Sequence, residues 1–152
     1  MADYEELSPN FKNALMTKMS SESPFWALLG MELVDVKKGW AKVRLPFSEK
    51  LAQPRGITHG GAIFSTADSA VVLALLGIVP RDETFTTVES NINFIRAFDQ
   101  GEITAEARII NKGNKIAIGD VDVRNVQGDL IAKCLATFMI LKKERYQKNA
   151  KA

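Results

Sequence analysis

The fold of this chain is decided by one stretch, His59-Gly60-Gly61-Ala62-Ile63-Phe64-Ser65-Thr66-Ala67-Asp68-Ser69-Ala70-Val71-Val72-Leu73-Ala74-Leu75-Leu76. A glycine pair opens the stretch, and an apolar helix of about five turns follows at roughly 3.6 residues per turn. Apolar residues occur on nearly all sides of this helix, which predicts a helix buried in the domain rather than lying on its surface. Asp68 is the one carboxylate in the helix, and a buried charge is costly unless it is paired or used. Asp68 is therefore the first candidate functional residue.

Two helical segments and six strand-like segments accompany the long helix. The short helices start near Ser8 and Pro24, and apolar–polar alternation or β-rich composition marks the strands. The strands are predicted at residues 31–38, 40–47, 85–94, 102–110, 116–126 and 129–141. Tight connections between consecutive strands imply an antiparallel sheet, and the long helix is the element apolar enough to cover one face of it. The predicted class is α+β, in a single domain.

Composition excludes several classes of protein. A content of 46% hydrophobic and 25% charged residues is that of an ordinary globular domain, and a net charge of +2 is too small to indicate nucleic acid binding. Cys134 is the only cysteine, so no intrachain disulfide can form. The longest apolar run, residues 70–79, is shorter than the roughly 20 residues that span a bilayer. With an acidic N-terminus, unlike a signal peptide, these features predict a cytoplasmic protein that binds neither nucleic acid nor membrane.

The start of the long helix is a candidate ligand site. Gly60 and Gly61 allow close approach to the backbone, where the first N–H groups have no partner within the helix. Together with the helix dipole, these groups can stabilise a developing negative oxygen. His59 and Gln53 supply polar groups just before the helix, and Asp68 could act as a nucleophile or a general base.

Each of these features also has a plainer interpretation. The glycine pair can be only a turn, and His59 can be structural. Asp68 can lie on a narrow solvated stripe with the serines on either side of it. In the second short helix, Phe25 and Trp26 can form a lid packed on the core, or they can line a pocket for an apolar ligand. No metal-ligand spacing, serine-hydrolase elbow or phosphate-binding loop occurs, so neither a metal nor a cofactor is predicted.

Helix geometry indicates a second copy of the chain. Asp68 lies eight residues beyond Gly60, about 12 Å along the helix axis at 1.5 Å per residue. One carbonyl group cannot easily contact both positions of the same helix. If both act on one atom, Asp68 comes from another protomer across a two-fold interface, which predicts a dimer with two composite sites.

The motif Thr58-His59-Gly60-Gly61, with Asp68 downstream, resembles the signature of the PaaI-like acyl-CoA thioesterases. The segments Thr87-Val88-Glu89-Ser90-Asn91-Ile92-Asn93-Phe94-Ile95-Arg96 and residues 101–107 resemble the following strands of that group. The resemblance covers residues 25–141 and implies a hotdog fold, an antiparallel sheet wrapped around a long helix. It also implies a homodimer or a homotetramer built as a dimer of dimers. We accordingly expect a helical extension at residues 1–24 and a basic tail at residues 142–152.

The resemblance further implies hydrolysis of an acyl-CoA to a carboxylic acid and free CoA. Gly60, aided by Gly61, would polarise the thioester carbonyl, and the partner's Asp68 would attack it or activate water. His59 would orient the thioester or the leaving sulfur. Gln53 and Thr87 match positions that orient water or the carbonyl. The chain departs from the group at Ala97, where proline is usual, and at Gln53, where asparagine is common.

Several further residues are candidates for contact with the substrate. Basic residues suit the phosphates of CoA, and the candidates are Arg55, Arg96, Lys112 and Lys115. A pocket lined by Phe25, Trp26, Phe64 and Leu73 could take an aryl or medium-chain acyl group. Two other functions stay open: an acyl-CoA binding or sensing module without catalysis, and a hotdog hydratase or dehydratase. The first has no need of Asp68, and the second relies on a differently placed histidine, whereas His59 is the single histidine of this chain.

Overall fold

The computed structural model describes residues 3–143 of the 152-residue chain. Three α-helices, a 3₁₀ turn and six strands make up this part. The helices are α1 (Pro9–Ser21), α2 (Pro24–Leu29) and α3 (Gly60–Leu76), and the 3₁₀ turn is Glu49–Leu51. The strands are β1 (Glu32–Lys37), β2 (Trp40–Pro46), β3 (Glu83–Phe94), β4 (Glu102–Lys112), β5 (Ile116–Asn125) and β6 (Leu130–Lys142).

All six strands form one antiparallel sheet in the order β1-β2-β4-β5-β6-β3. The predicted class and the predicted elements are confirmed, with shifts of a few residues at their ends. Of the predicted C-terminal tail, residues 144–152 lie outside the described part. No helix within residues 3–143 is long and apolar enough to cross a membrane.

The sheet curves around α3 because its inner face carries small residues. Alanines at 105, 107, 117, 132 and 136 are fully buried beneath the helix. At Gly119 in β5 a Cβ atom would lie 2.5 Å from Val71 Cγ1, so only glycine permits this approach of helix and sheet. Fully buried side chains such as Leu73 and Leu75 each contribute about 1.5–3 kcal/mol by leaving water.

The N-terminal segment packs on the outside of this core. Leu7 and Leu15 are buried, which anchors α1 and the chain before it. The Lys12 ammonium contacts Glu6 at 3.1 Å and Asp35 at 2.6 Å, which joins α1 to β1. Exposed pairs of this kind add little to stability, so the two buried leucines hold the segment.

Two surfaces of the protomer remain uncovered. Helix α3 is buried as predicted over most of its circumference, but one stripe, which we call the exposed stripe, is open to solvent at Gly61 and half-buried at Ser65, Asp68 and Val72. Strand β3 lies at the edge of the sheet, and all twelve of its residues are exposed or half-buried. A long edge strand leaves a row of unpaired N–H and C=O groups that can pair with another strand.

Candidate active site

His59 caps the N-terminus of α3. Its Nδ1 accepts a hydrogen bond from the Gly61 N–H at 2.9 Å, so the structural role considered for this histidine is confirmed. An accepting Nδ1 leaves the ring hydrogen on Nε2 of the neutral imidazole. The exposed ring therefore holds the helix start and still offers one N–H donor.

Gly60, the first residue of α3, keeps a free amide. No hydrogen bond among residues 3–143 uses its N–H, which lies at the positive end of the helix. A Cβ at this position would lie 2.9 Å from Cζ of Phe94, because the aromatic ring packs directly on the glycine. The Gly61 N–H donates to His59 Nδ1 in this protomer, so it is not a free second donor here, and its aid to Gly60 stays a prediction.

Asp68 lies half-buried on the exposed stripe of α3. The Thr87 hydroxyl donates to Asp68 Oδ1 at 3.1 Å from the adjacent strand β3. Burial raises the pKa of the Asp68 carboxyl above its ordinary value, while the hydroxyls of Thr87 and Ser90 oppose this rise. A raised carboxyl pKa in a partly enclosed site is typical of functional groups.

The predicted residues thus form two groups within one protomer. Gly60, His59 and Gln53 gather at the helix start, whereas Asp68 lies about two turns further along α3, where Thr87 of β3 contacts it. No hydrogen bond of the described residues joins the two groups. The protomer by itself does not bring Asp68 to the Gly60 amide.

An arginine cleft of ≈ 300 Å³ opens on the Gly60 side of the helix start. We define it by Gln53, Arg55, Gly60, Phe94 and Arg96, which all line it. The Gln53 amide faces the Arg55 guanidinium. On the opposite wall, Arg96 Nη1 donates to Asp129 Oδ1 at 3.0 Å. Two predicted basic residues are therefore brought beside Gly60.

An α2 cleft of ≈ 450 Å³ opens on the other side of the helix start. Its apolar wall is made by Phe25 and Leu29 of α2 and by Leu51, and its floor includes His59 and Ser65. Phe25 is 52% exposed, as expected for a residue lining a cleft, while its neighbour Trp26 is buried at 6%. The two aromatic residues thus divide the two roles that the sequence left open.

Other predicted residues lie elsewhere. Leu73 and Trp26 belong to the buried core and line neither the arginine cleft nor the α2 cleft. Phe64 is half-buried beside the exposed stripe of α3. Lys112 and Lys115 line a separate lysine groove of ≈ 900 Å³ beside Glu83, the first residue of β3.

The lysine groove is distant from the helix start of the same protomer. Gly60 packs on Phe94, the last residue of β3, and the groove lies at the first residue, roughly 35 Å away at the rise of a β-strand. Lys112 and Lys115 therefore do not lie beside Gly60 of their own protomer, and their contact with CoA stays a prediction. The sequence does not reveal which end of the sheet each turn occupies.

Comparisons with known proteins identify the family of this chain. Residues 55–132, just over half of the chain, match the thioesterase superfamily. A 1,4-dihydroxy-2-naphthoyl-CoA hydrolase from Listeria monocytogenes is 29% identical, over 77% of this chain and 95% of that protein. The medium/long-chain acyl-CoA thioesterase YigI from Escherichia coli is 28% identical, over 77% of this chain and 85% of that protein.

Among solved structures, conserved protein PA5202 from Pseudomonas aeruginosa superposes with a TM-score of 0.75. It is 35% identical, and the match covers 78% of this chain and 94% of that chain. Thioesterase HI1161 from Haemophilus influenzae superposes with a TM-score of 0.80 at 24% identity and shows the same fold. The hotdog fold implied by the sequence motif is thereby confirmed.

Proposed function

This chain belongs to the thioesterase superfamily, and we propose that it hydrolyses the thioester of an acyl-CoA to a carboxylic acid and free CoA. One observation carries the proposal. The Gly60 amide is free at a positive helix end, and a half-buried carboxylate, Asp68, occurs on the same helix with a hydroxyl bonded to it. An amide donor and a carboxylate are what thioester hydrolysis needs: one stabilises the oxyanion, and the other supplies or becomes the nucleophile.

The proposed enzyme is a homodimer, alone or within a dimer of dimers. The edge of β3 and the exposed stripe of α3 both need a partner, and a second copy related by a two-fold axis can cover both. Antiparallel pairing of two β3 strands would place the helix start of one protomer beside Asp68 of the partner subunit. Each dimer would then contain two complete sites.

In this arrangement, the Gly60 N–H donates to the thioester oxygen while the partner's Asp68 acts on the carbonyl carbon. As a general base, Asp68 takes a proton from water, and the hydroxide adds to the carbonyl. As a nucleophile, Asp68 forms an acyl–carboxylate anhydride that water then cleaves. In both routes the C–S bond breaks and CoA leaves as a thiolate, with the His59 Nε2–H directed at the sulfur, and the thiolate then takes up the proton that the hydrolytic water releases. Gln53 orients the water or the carbonyl.

Thr87 has a more specific role than the one expected from the sequence. Its hydroxyl donates to the carboxylate itself, so it holds one carboxylate oxygen, Asp68 Oδ1, beside β3. A carboxylate has about four lone-pair positions. With one of them engaged by Thr87, the remaining positions stay available for water or for attack on the carbonyl carbon.

The charged and apolar ends of the substrate are assigned to different clefts. The arginine cleft, with Arg55 and Arg96, suits the phosphates of CoA. The α2 cleft has an apolar wall and suits the acyl group, in a volume within the usual range for small-molecule sites. The paired dimer would also bring the partner's lysine groove towards the arginine cleft, which would restore Lys112 and Lys115 as contacts for phosphate.

The acyl assignment is tested with two residues of one helix. Phe25 lines the α2 cleft, and Leu28 is 63% exposed and does not line it. Phe25→Ala should lower kcat/KM for aryl and medium-chain acyl-CoA by about 10-fold relative to acetyl-CoA, the effect of losing a well-packed apolar contact. Leu28→Ala should leave this ratio unchanged. Equal ratios in both variants would remove the α2 cleft from the acyl site.

The activity is tested by CoA release from a panel of aryl, medium-chain and short acyl-CoAs. We expect turnover by the wild-type protein and a loss of at least 100-fold in kcat for Asp68→Asn, because the amide is neither a base nor a nucleophile. Binding of acyl-CoA without turnover on any member of the panel would favour the non-catalytic binding module. Full activity of Asp68→Asn would remove this residue from the mechanism.

A further inference from the structure

Strand β3 contains one irregularity in its pairing with β6. Thr87 pairs with Phe138 and Glu89 pairs with Thr137, so Val88 is an extra residue without a partner in the ladder. This is the geometry of a β-bulge, in which two residues of one strand oppose one residue of the other. The Val88 side chain is 55% exposed.

The bulge changes which residues of β3 face the helix. In a regular strand, residues three apart point to opposite faces of the sheet. Here Thr87 and Ser90 pair with Phe138 and Ala136, two buried residues of the inner face. Both hydroxyls therefore point inward, towards Asp68, while Glu89 faces outward.

The Ser90 hydroxyl is buried and has no hydrogen-bond partner of normal geometry among residues 3–143. Buried polar groups without partners are rare in folded proteins, and each calls for an explanation. Ser90 lies close enough to the Asp68 carboxylate to favour its charged form, as Thr87 does. The Asp68 carboxylate is therefore the candidate hydrogen-bond acceptor for the Ser90 hydroxyl.

We propose that Ser90 is a second positioning residue for Asp68, brought to it by the bulge at Val88. When the site is closed by substrate and partner subunit, the Ser90 hydroxyl donates to the carboxylate alongside Thr87. Two donors from one strand then hold the plane of the carboxylate, whereas a single donor leaves it free to rotate. β-Bulges commonly re-aim side chains next to active sites. The role in catalysis rests on the proposed thioesterase function.

The other titratable group facing Asp68 is Cys134, on β6. Its thiol is buried, which raises the pKa of Cys134 to about 11, with a further contribution from the Asp68 charge. The thiol stays neutral near pH 7 and adds no competing charge. Glu89 and Asp120 are acids of neighbouring strands with outward-facing positions. Within the described protomer, Asp68 is therefore the ionisable group on which the Thr87 and Ser90 hydroxyls act.

The test compares Ser90→Ala with Thr86→Ala. Thr86 is the matched control, because it belongs to the same strand and pairs with the exposed Met139 on the outer face. Ser90→Ala should lower kcat/KM about 10-fold, the typical effect of one hydrogen bond to a charged group. The acid limb of its pH–rate profile should move to higher pH, because the lost hydrogen-bond donor stabilised the charged form of Asp68. Ser90→Thr, which keeps the hydroxyl, should retain the wild-type limb, and Thr86→Ala should change neither property.

A lower rate in Ser90→Ala with an unshifted acid limb would mean that Ser90 only fills space, and the proposal would be overturned. An unchanged rate and an unchanged limb would overturn it as well. The ¹³C carboxyl titration of Asp68 provides a readout that does not need turnover, and Ser90→Ala should raise the midpoint. If the wild-type protein hydrolyses no acyl-CoA, the proposed function fails, while this titration still decides whether Ser90 bonds to Asp68.

Discussion

Replacement of Gly60 by proline removes a single hydrogen-bond donor from the proposed oxyanion site. Gly60 is the first residue of α3, the position where proline is favoured in helices because its missing N–H is not needed there. The preceding residue, His59, has φ −62° and ψ 133°, which is the extended conformation that a following proline requires. The helix should therefore form normally in Gly60→Pro.

The matched control is Gly60→Ala. Alanine and proline both place a Cβ 2.9 Å from Phe94 Cζ, but only alanine keeps the N–H. The ring of Phe94 is 52% exposed and can move aside, so we expect each variant to lose no more than about 1 kcal/mol of stability. The loss of one oxyanion donor lowers kcat by about 100- to 1,000-fold. Gly60→Pro should therefore fall below Gly60→Ala by this factor.

The assay is release of CoA thiol, measured with a thiol reagent. The buried Cys134, whose pKa is raised to about 11, should not react while the protein is folded. Thermal unfolding of both variants verifies that they are equally folded. Equal kcat values for the proline and alanine variants would refute the assignment of the Gly60 amide as the oxyanion donor.

Three other predictions concern stability as well as activity. His59→Ala should lower the free energy of unfolding by about 1 kcal/mol through loss of the helix cap. His59→Asn should recover this stability in urea unfolding, because asparagine also caps the helix. It should not recover kcat, because asparagine lacks the Nε2–H. Gly119→Ala should cost about 1–3 kcal/mol through the clash with Val71, and Val71→Ala should recover part of that loss. Asp68→Asn should raise stability near pH 7, because the folded pKa of this acid lies above its unfolded value and its ionisation in the folded state is disfavoured. The gain should vanish in acid unfolding experiments below the ordinary pKa of aspartate, where the wild-type carboxyl is protonated in both states; a gain that persists there would contradict the cause given.

The fold could be predicted because its signals are local. The apolar run after Gly60 gives α3, and the alternation of Ala41, Val43 and Leu45 gives a strand with one buried face. The sequence also marks the glycine pair and Asp68 as candidates, because a carboxylate in an apolar helix is unusual.

The parts of the site that could not be predicted depend on strand pairing, side-chain rotamers and topology. The bulge at Val88 leaves no signal in the sequence, so the inward direction of Ser90 was missed. The hydrogen bond from Gly61 to His59 depends on a side-chain rotamer, and it removes a donor that the sequence offered. Lys112 and Lys115 were grouped with the arginines by charge, although topology places them at the other end of β3.

The central claim is that Gly60 of one protomer acts with the partner's Asp68, and hybrid dimers test it most directly. Asp68→Asn and Gly60→Pro are each expected to be inactive alone, so the two chains are co-expressed with different tags and the mixed dimer is isolated. A composite site predicts that one of the two sites in each hybrid regains both intact groups, which gives about half of the wild-type kcat per dimer. A hybrid as inactive as its two parents would contradict the account, because it would mean that both groups act within one protomer.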